Sequence, residues 1–151
     1  MGRYLASASA VTTVMGGAII TIASLMPWST FDSMLLTIYA VSGVGLGYGF
    51  LTLLAGIDLL AVGARALVRP LDPSLRWVAI ALAAVAIAVP VVARIDLDFR
   101  GNQGPLFEHP AGLTLGIYIV EIGGLLALLG AVGLHASARL KPRNQAPPEA
   151  A

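Results

Sequence analysis

Four long stretches that carry almost no charge constrain this chain more than any other feature of its sequence. They cover residues 5–26, 44–67, 77–93 and 112–138. Each is long enough to cross a bilayer core of about 30 Å as an α-helix, which rises about 1.5 Å per residue. Charged residues make up only 11% of the 151 residues, against about 25% in soluble domains. The pattern predicts an all-α integral membrane protein, a bundle of four transmembrane helices, and excludes a soluble globular fold.

The second apolar stretch requires a break in the chain. An uncharged run begins at Ser33 and continues to Ala64 with a single acidic interruption. As one helix this run would be about 48 Å long, which is too long for one upright span. We therefore place a break at Ser42-Gly43 and expect helix two to begin near Val44.

The basic residues predict how the helices are oriented. Most of them precede helix one, connect helices two and three, or follow helix four: Arg3, Arg65, Arg69, Arg76, Arg139, Lys141 and Arg143. Only Arg94 and Arg100 fall on the other side. Because loops rich in Lys and Arg stay in the cytoplasm, we expect a plasma-membrane protein with both termini cytoplasmic. Within it, 1–141 would form the transmembrane domain and 142–151 a disordered cytoplasmic tail.

Helices two and four share a pattern of glycines. When the sequence is shifted by 67 residues, Gly45, Gly49, Gly56 and Gly63 coincide with Gly112, Gly116, Gly123 and Gly130. This correspondence predicts that the bundle is built as two tandem helical hairpins. The last three glycines of each set recur every seven residues, so each set forms one stripe of small residues that permits close helix packing in lipid. The stripes would serve contacts either inside one bundle or with a partner subunit.

Two acidic residues inside the predicted spans are the candidate proton or ion sites. Glu121 lies nine residues after Gly112, about 14 Å into the membrane and close to its midplane, where a charge costs about 3 kcal/mol. Asp58 lies seven residues before Arg65, about 10 Å from the cytoplasmic end. Because no Lys or Arg lies within a central span, Glu121 is expected either to be neutral and hydrogen-bonded or to serve a proton or cation site.

The acids and the glycine stripes point in nearly opposite directions. Each acid lies two residues from a stripe glycine, a rotation of about 200° on a helix. The 67-residue shift also places Asp58 and Glu121 on equivalent faces of their helices. If the acids face the bundle interior, part of a glycine stripe faces outward, which favours self-association or a partner.

The segments outside the predicted spans suggest a small extracytoplasmic β-sheet. Thr37 to Val41 is rich in residues that favour strands, and Arg94 to Arg100 alternates polar and apolar residues with a period of two. Trp28 and Trp77 fall at opposite ends of spans, where indole rings commonly lie, so we expect both to be interface anchors.

The sequence predicts no enzyme, metal site or cofactor. It contains no phosphate loop, nucleophile–base set or zinc motif, and the absence of cysteine excludes disulfides and thiolate ligands. Asp96, Asp98, Glu108 and His109 could gather around a divalent cation, although acidic residues in a loop are more often simply solvated. A net charge of +1 excludes a nucleic-acid binder that depends on bulk charge.

Two short stretches carry a resemblance to a known group. A Pro-Trp follows helix one in Met26-Pro27-Trp28, and a glycine-rich start to helix two follows in Ser42-Gly43-Val44-Gly45-Leu46-Gly47-Tyr48-Gly49. In these features the chain resembles the small four-transmembrane-helix proteins of unknown function from actinobacteria. The resemblance implies the four-helix fold and brings no activity with it.

Two hypotheses of function follow from these observations. The first is a structural or accessory membrane protein that packs through its glycine stripes, with the lipid bilayer as its surroundings and a homo-oligomer or a larger membrane complex as its assembly. The alternative is a small proton- or cation-coupled transporter that uses Glu121 and Asp58 on repeated helices.

Overall fold

The computed structural model describes residues 2–32, 39–101 and 109–140. The described elements, in chain order, are α1 (Gly2–Leu25), β1 (Pro27–Asp32), β2 (Tyr39–Ser42), α2 (Tyr48–Val68), α3 (Pro73–Gly101), β3 (His109–Leu113) and α4 (Leu115–Arg139). The four helices are long and apolar enough to cross a membrane. The predicted four-helix fold is confirmed, and the chain is an integral membrane protein. The predicted disordered tail, 142–151, lies outside the described residues.

The helices form a four-cornered bundle in which α1 and α3 each pack against both α2 and α4. The core at these contacts is rich in alanine, with Ala55, Ala83, Ala86 and Ala127 all buried. Small side chains let the helix backbones approach closely, which is the main source of packing energy between helices in lipid.

The closest approaches are made by two adjacent glycines of α1. A Cβ atom on Gly16 would lie 2.5 Å from the backbone nitrogen of Ala127 on α4, and one on Gly17 would lie 2.8 Å from that of Leu60 on α2. Leu60 and Ala127 are separated by the same 67 residues that relate the glycine patterns. The repeat in sequence therefore corresponds to a repeat in structure, in which α2 and α4 dock on α1 in registers offset by one residue.

A small antiparallel sheet covers the end of the bundle where α1 ends and α4 begins. Its strand order is β2-β1-β3, and Thr30 of β1 pairs with Ala40 on one side and with Gly112 on the other. The predicted sheet is therefore present. Of the first segment expected to contribute to it, Tyr39 and Val41 lie in β2, whereas residues 37 and 38 lie outside the described residues.

The second segment expected in the sheet is helical instead. Residues 94–100 form the last turns of α3, which continues eleven residues beyond Pro90 to Gly101. Alternation over so short a segment also fits a helix that meets two neighbours: Leu97 is buried, Arg94 reaches α4 and Asp96 reaches α2. Tertiary contacts on both sides thus override the strand pattern.

The helices also begin and end at residues other than the predicted ones. α3 covers Pro73–Gly101 rather than 77–93, and α1 begins at Gly2. α2 begins at Tyr48 rather than Val44, after a turn in which Gly47 adopts a φ of 84°. α4 begins at Leu115 because Gly112 belongs to β3. Gly45 and Gly112 therefore lie outside the helices, and the predicted GxxxG steps do not form.

Candidate functional site

Glu121 has a positively charged partner on the neighbouring helix. It lies six residues after the first residue of α4, about 9 Å into the helix rather than at the midplane. Its Oε2 atom forms an ion pair with Nη2 of Arg94 on α3. The expectation that Glu121 lacks an ion-pair partner was wrong, because α3 extends past the predicted end of helix three and carries Arg94 alongside α4.

The Arg94 side chain is held between two residues of α4. Its guanidinium lies 4.5 Å from the centre of the Tyr118 ring, a cation–π contact, and Tyr118 precedes Glu121 by one turn. Nε of Arg94 has no hydrogen-bond partner among the described residues. The contact with Glu121 brings opposite charges together, so Glu121 is not an isolated carboxylate.

A second polar contact joins α3 to α2 at the same end of the bundle. The Tyr48 hydroxyl at the start of α2 donates a hydrogen bond of 2.9 Å to Oδ2 of Asp96. The last turns of α3 are thus linked to α4 through Arg94 and to α2 through Asp96. We call Tyr48, Arg94, Asp96, Tyr118 and Glu121 the polar cluster. Its signal in the sequence was the cost of a charge in lipid, which requires a partner for Glu121.

Asp58 lies in entirely different surroundings. It is ten residues from Tyr48 and ten from Val68, the two ends of α2, and is therefore about 15 Å from each end. The residue is exposed on the outer surface of the bundle, and no ion pair or hydrogen bond joins it to any residue within 2–32, 39–101 or 109–140. The structure makes Asp58 the deeper of the two acids and does not bring it together with Glu121.

The glycine stripes face the interior of the bundle. Gly49, Gly56, Gly63, Gly116, Gly123 and Gly130 are all buried. A Cβ on Gly56 would lie 3.0 Å from the Gly17 carbonyl oxygen, and one on Gly123 would lie 3.1 Å from that of Gly16. The stripes therefore make contacts within the chain, and the expectation that one of them faces outward was wrong.

The two tryptophans differ in setting. Trp28 is completely buried beneath the sheet, and its Nε1 donates a hydrogen bond of 2.9 Å to the Ala23 carbonyl. It is therefore a core residue, and the predicted interface anchor at this position was wrong. Trp77 is 58% exposed, and its ring lies 4.9 Å from that of His135. This exposure suits an indole at a membrane interface.

The residues considered for a divalent cation do not gather in the described part of the chain. Asp96 accepts the Tyr48 hydrogen bond, and Asp98 is exposed on α3. His109 lies in β3, and residue 108 lies outside the described residues. Within 2–32, 39–101 and 109–140, no three histidine or acidic side chains are placed to hold a metal ion.

Comparisons with known proteins give no family for the chain. It matches no family model, no curated protein and no solved structure. The argument for a function therefore depends on the polar cluster, the glycine contacts and Asp58.

Proposed function

We propose that this protein is a structural or accessory subunit of a plasma-membrane assembly and that it joins its partners through the outer surface of α2. The observation that carries the proposal is the exposure of Asp58 halfway along a membrane-spanning helix. A charge facing lipid at this depth costs about 3 kcal/mol on insertion scales. A protein surface that covers Asp58 and supplies a polar partner removes much of this cost.

The contacts inside the bundle support a structural role. The glycine stripes of α2 and α4 pack against α1, and the charge of Glu121 is balanced by Arg94. A transporter that used both acids would need a wet path between them. One acid is instead ion-paired between α3 and α4, and the other lies on the outside of α2. These positions favour an accessory subunit over a transporter formed by one chain.

The experiment that tests the proposal is purification of the tagged, full-length protein from its native membranes in mild detergent, followed by native mass spectrometry. We expect a particle much heavier than the 15.5 kDa chain, with other subunits in fixed stoichiometry. Membranes that contain the untagged chain serve as the control. A particle made only of this chain would contradict the accessory role and favour the transporter, to be tested by proton flux with Glu121→Gln.

A further inference from the structure

We infer that the surface of α2 around Asp58 binds a transmembrane helix of a partner protein that carries a lysine or arginine at the middle of the membrane. The inference rests on the proposed accessory function and specifies the chemistry of the partner. The surface, here called the Asp58 face, consists of Leu54, Ile57, Asp58, Ala61, Ala64 and Arg65, all of them exposed.

The Asp58 face has the shape of a helix-binding surface. Its residues are spaced three and four apart, so they form one continuous strip along α2. The opposite side of α2, with Gly56 and Gly63, is already packed against α1. Ala61 and Ala64 are small, and small exposed residues let a second helix approach closely in lipid.

The charge of Asp58 identifies what a bound helix must supply. An ionised carboxylate only accepts hydrogen bonds, and its neighbours on the strip toward the middle of the span are apolar. A charged side chain within a membrane almost always pairs with another polar group. An ammonium or guanidinium group donates charge-assisted hydrogen bonds to a carboxylate and balances its charge. A basic residue at the depth of Asp58 therefore complements this surface.

A second copy of the chain does not supply this partner. Two copies in the same membrane orientation, related by a twofold axis through this face, would place Asp58 opposite Asp58, and like charges repel strongly in an apolar medium. Most described basic residues lie toward the helix ends: Arg3, Arg65, Arg69, Arg76, Arg100 and Arg139. The remaining one, Arg94, is already paired with Glu121.

A synthetic helix tests the inference directly. The full-length protein, labelled with a donor fluorophore at Ser74→Cys, is reconstituted in phosphatidylcholine vesicles. The probe is an acceptor-labelled Leu/Ala transmembrane peptide with one central arginine, and the matched probe has leucine at that position. Energy transfer should show that the arginine probe binds about three- to thirty-fold more tightly, the range typical of polar contacts between membrane helices. The preference should disappear in Asp58→Leu and in Asp58→Asn.

The internal repeat provides a matched control for position. Leu125 lies 67 residues after Asp58, ten residues into α4 as Asp58 is ten residues into α2, and it is 54% exposed. The variant Asp58→Leu/Leu125→Asp keeps one exposed acid at the same distance from its helix start but moves it to α4. On α4, Leu128 and the buried Ala131 replace Ala61 and Ala64. We expect this variant to lose the preference for the arginine probe, and full retention would overturn the assignment to α2.

Other outcomes separate this inference from the proposed function. Equal binding of the two probes by the unaltered protein would overturn the inference. Self-association that is stronger than probe binding and is lost in Asp58→Asn would do the same and make a second copy the occupant. If native particles keep their other subunits in Asp58→Leu, the Asp58 face is not the docking surface, yet the accessory role stands. If the unaltered native particle contains this chain alone, the accessory role itself fails.

Discussion

Arg94 on α3 and Glu121 on α4 form an ion pair that joins the two helices near the end of the bundle that carries the sheet. The side chains are 32% and 22% exposed, respectively, so neither is sealed in the core. Arg94 also packs over the ring of Tyr118. This arrangement makes the pair a connection between helices, and the loss of either partner would leave a charge without compensation.

We predict that Arg94→Leu and Glu121→Leu will each lower the free energy of unfolding by about 1–3 kcal/mol. This is less than the cost of breaking a fully buried pair, because both side chains are partly exposed. The double variant should cost less than the sum of the two single changes, since it leaves no unpaired charge. The measurement is a double-mutant cycle by unfolding of the full-length protein in mixed detergent micelles.

A nearby acid provides the control for this cycle. Asp98 lies one turn after Arg94 on α3 and is exposed, so Asp98→Asn should change stability by less than about 0.5 kcal/mol. Strictly additive effects of Arg94→Leu and Glu121→Leu would show that the pair contributes no coupling energy.

The glycines of α1 give a second prediction. A Cβ on Gly16 or Gly17 would meet the backbone of α4 or α2 at 2.5 and 2.8 Å, and backbone cannot move aside without separating the helices. Gly16→Ala and Gly17→Ala should each destabilise the bundle by about 1–3 kcal/mol, as overpacking does. Thermal unfolding in detergent monitored by circular dichroism measures the effect.

Gly124 is the matched control for these substitutions. A Cβ there would meet the end of the Ile87 side chain at 2.7 Å, with the nearest backbone atom at 3.4 Å. Because a side-chain end can rotate away and alanine favours helix by about 1 kcal/mol over glycine, Gly124→Ala should be nearly neutral. A loss of stability as large as that of Gly16→Ala would argue against backbone contact as the cause.

The sequence was sufficient to predict the fold because long apolar runs have few alternatives in a bilayer. The shift of 67 residues also has a structural counterpart, since α2 and α4 begin at Tyr48 and Leu115, exactly that many residues apart when counted along the sequence. The depth of each acid was less accessible. Glu121 was placed too deep and Asp58 too shallow because both were measured from predicted helix ends, which differ from the ends in the structure.

The polar cluster could not be predicted from local patterns. The residues from Arg94 to Arg100 fit a strand by alternation, but their contacts with α2 and α4 make them helical. The direction of the glycine stripes was similarly undetermined, since a small-residue stripe suits a contact within a chain as well as one between chains. In both cases the deciding information is which helix lies next to which.

The different settings of the two tryptophans give a third prediction. In vesicles containing brominated lipid, the emission of Trp77 should be quenched strongly, and that of buried Trp28 should be quenched little. Trp77→Phe leaves Trp28 as the only tryptophan, so its emission is measured directly, and the difference from the unaltered protein gives Trp77. Strong quenching in Trp77→Phe, with the helical circular dichroism unchanged, would contradict the burial of Trp28.

The orientation of the helices gives a fourth prediction, which the absence of native cysteine makes simple to test. Ser74→Cys lies in the first turn of α3, and Asp98→Cys lies near its other end; both positions are exposed. Because Arg65, Arg69 and Arg76 flank the connection between α2 and α3, that end should be cytoplasmic. A membrane-impermeant maleimide should therefore label Asp98→Cys on intact cells and Ser74→Cys only in inverted vesicles. The opposite labelling would reverse the orientation and move the sheet and the polar cluster to the cytoplasmic side. Asp58 would stay at the same depth, because it is equally far from both ends of α2.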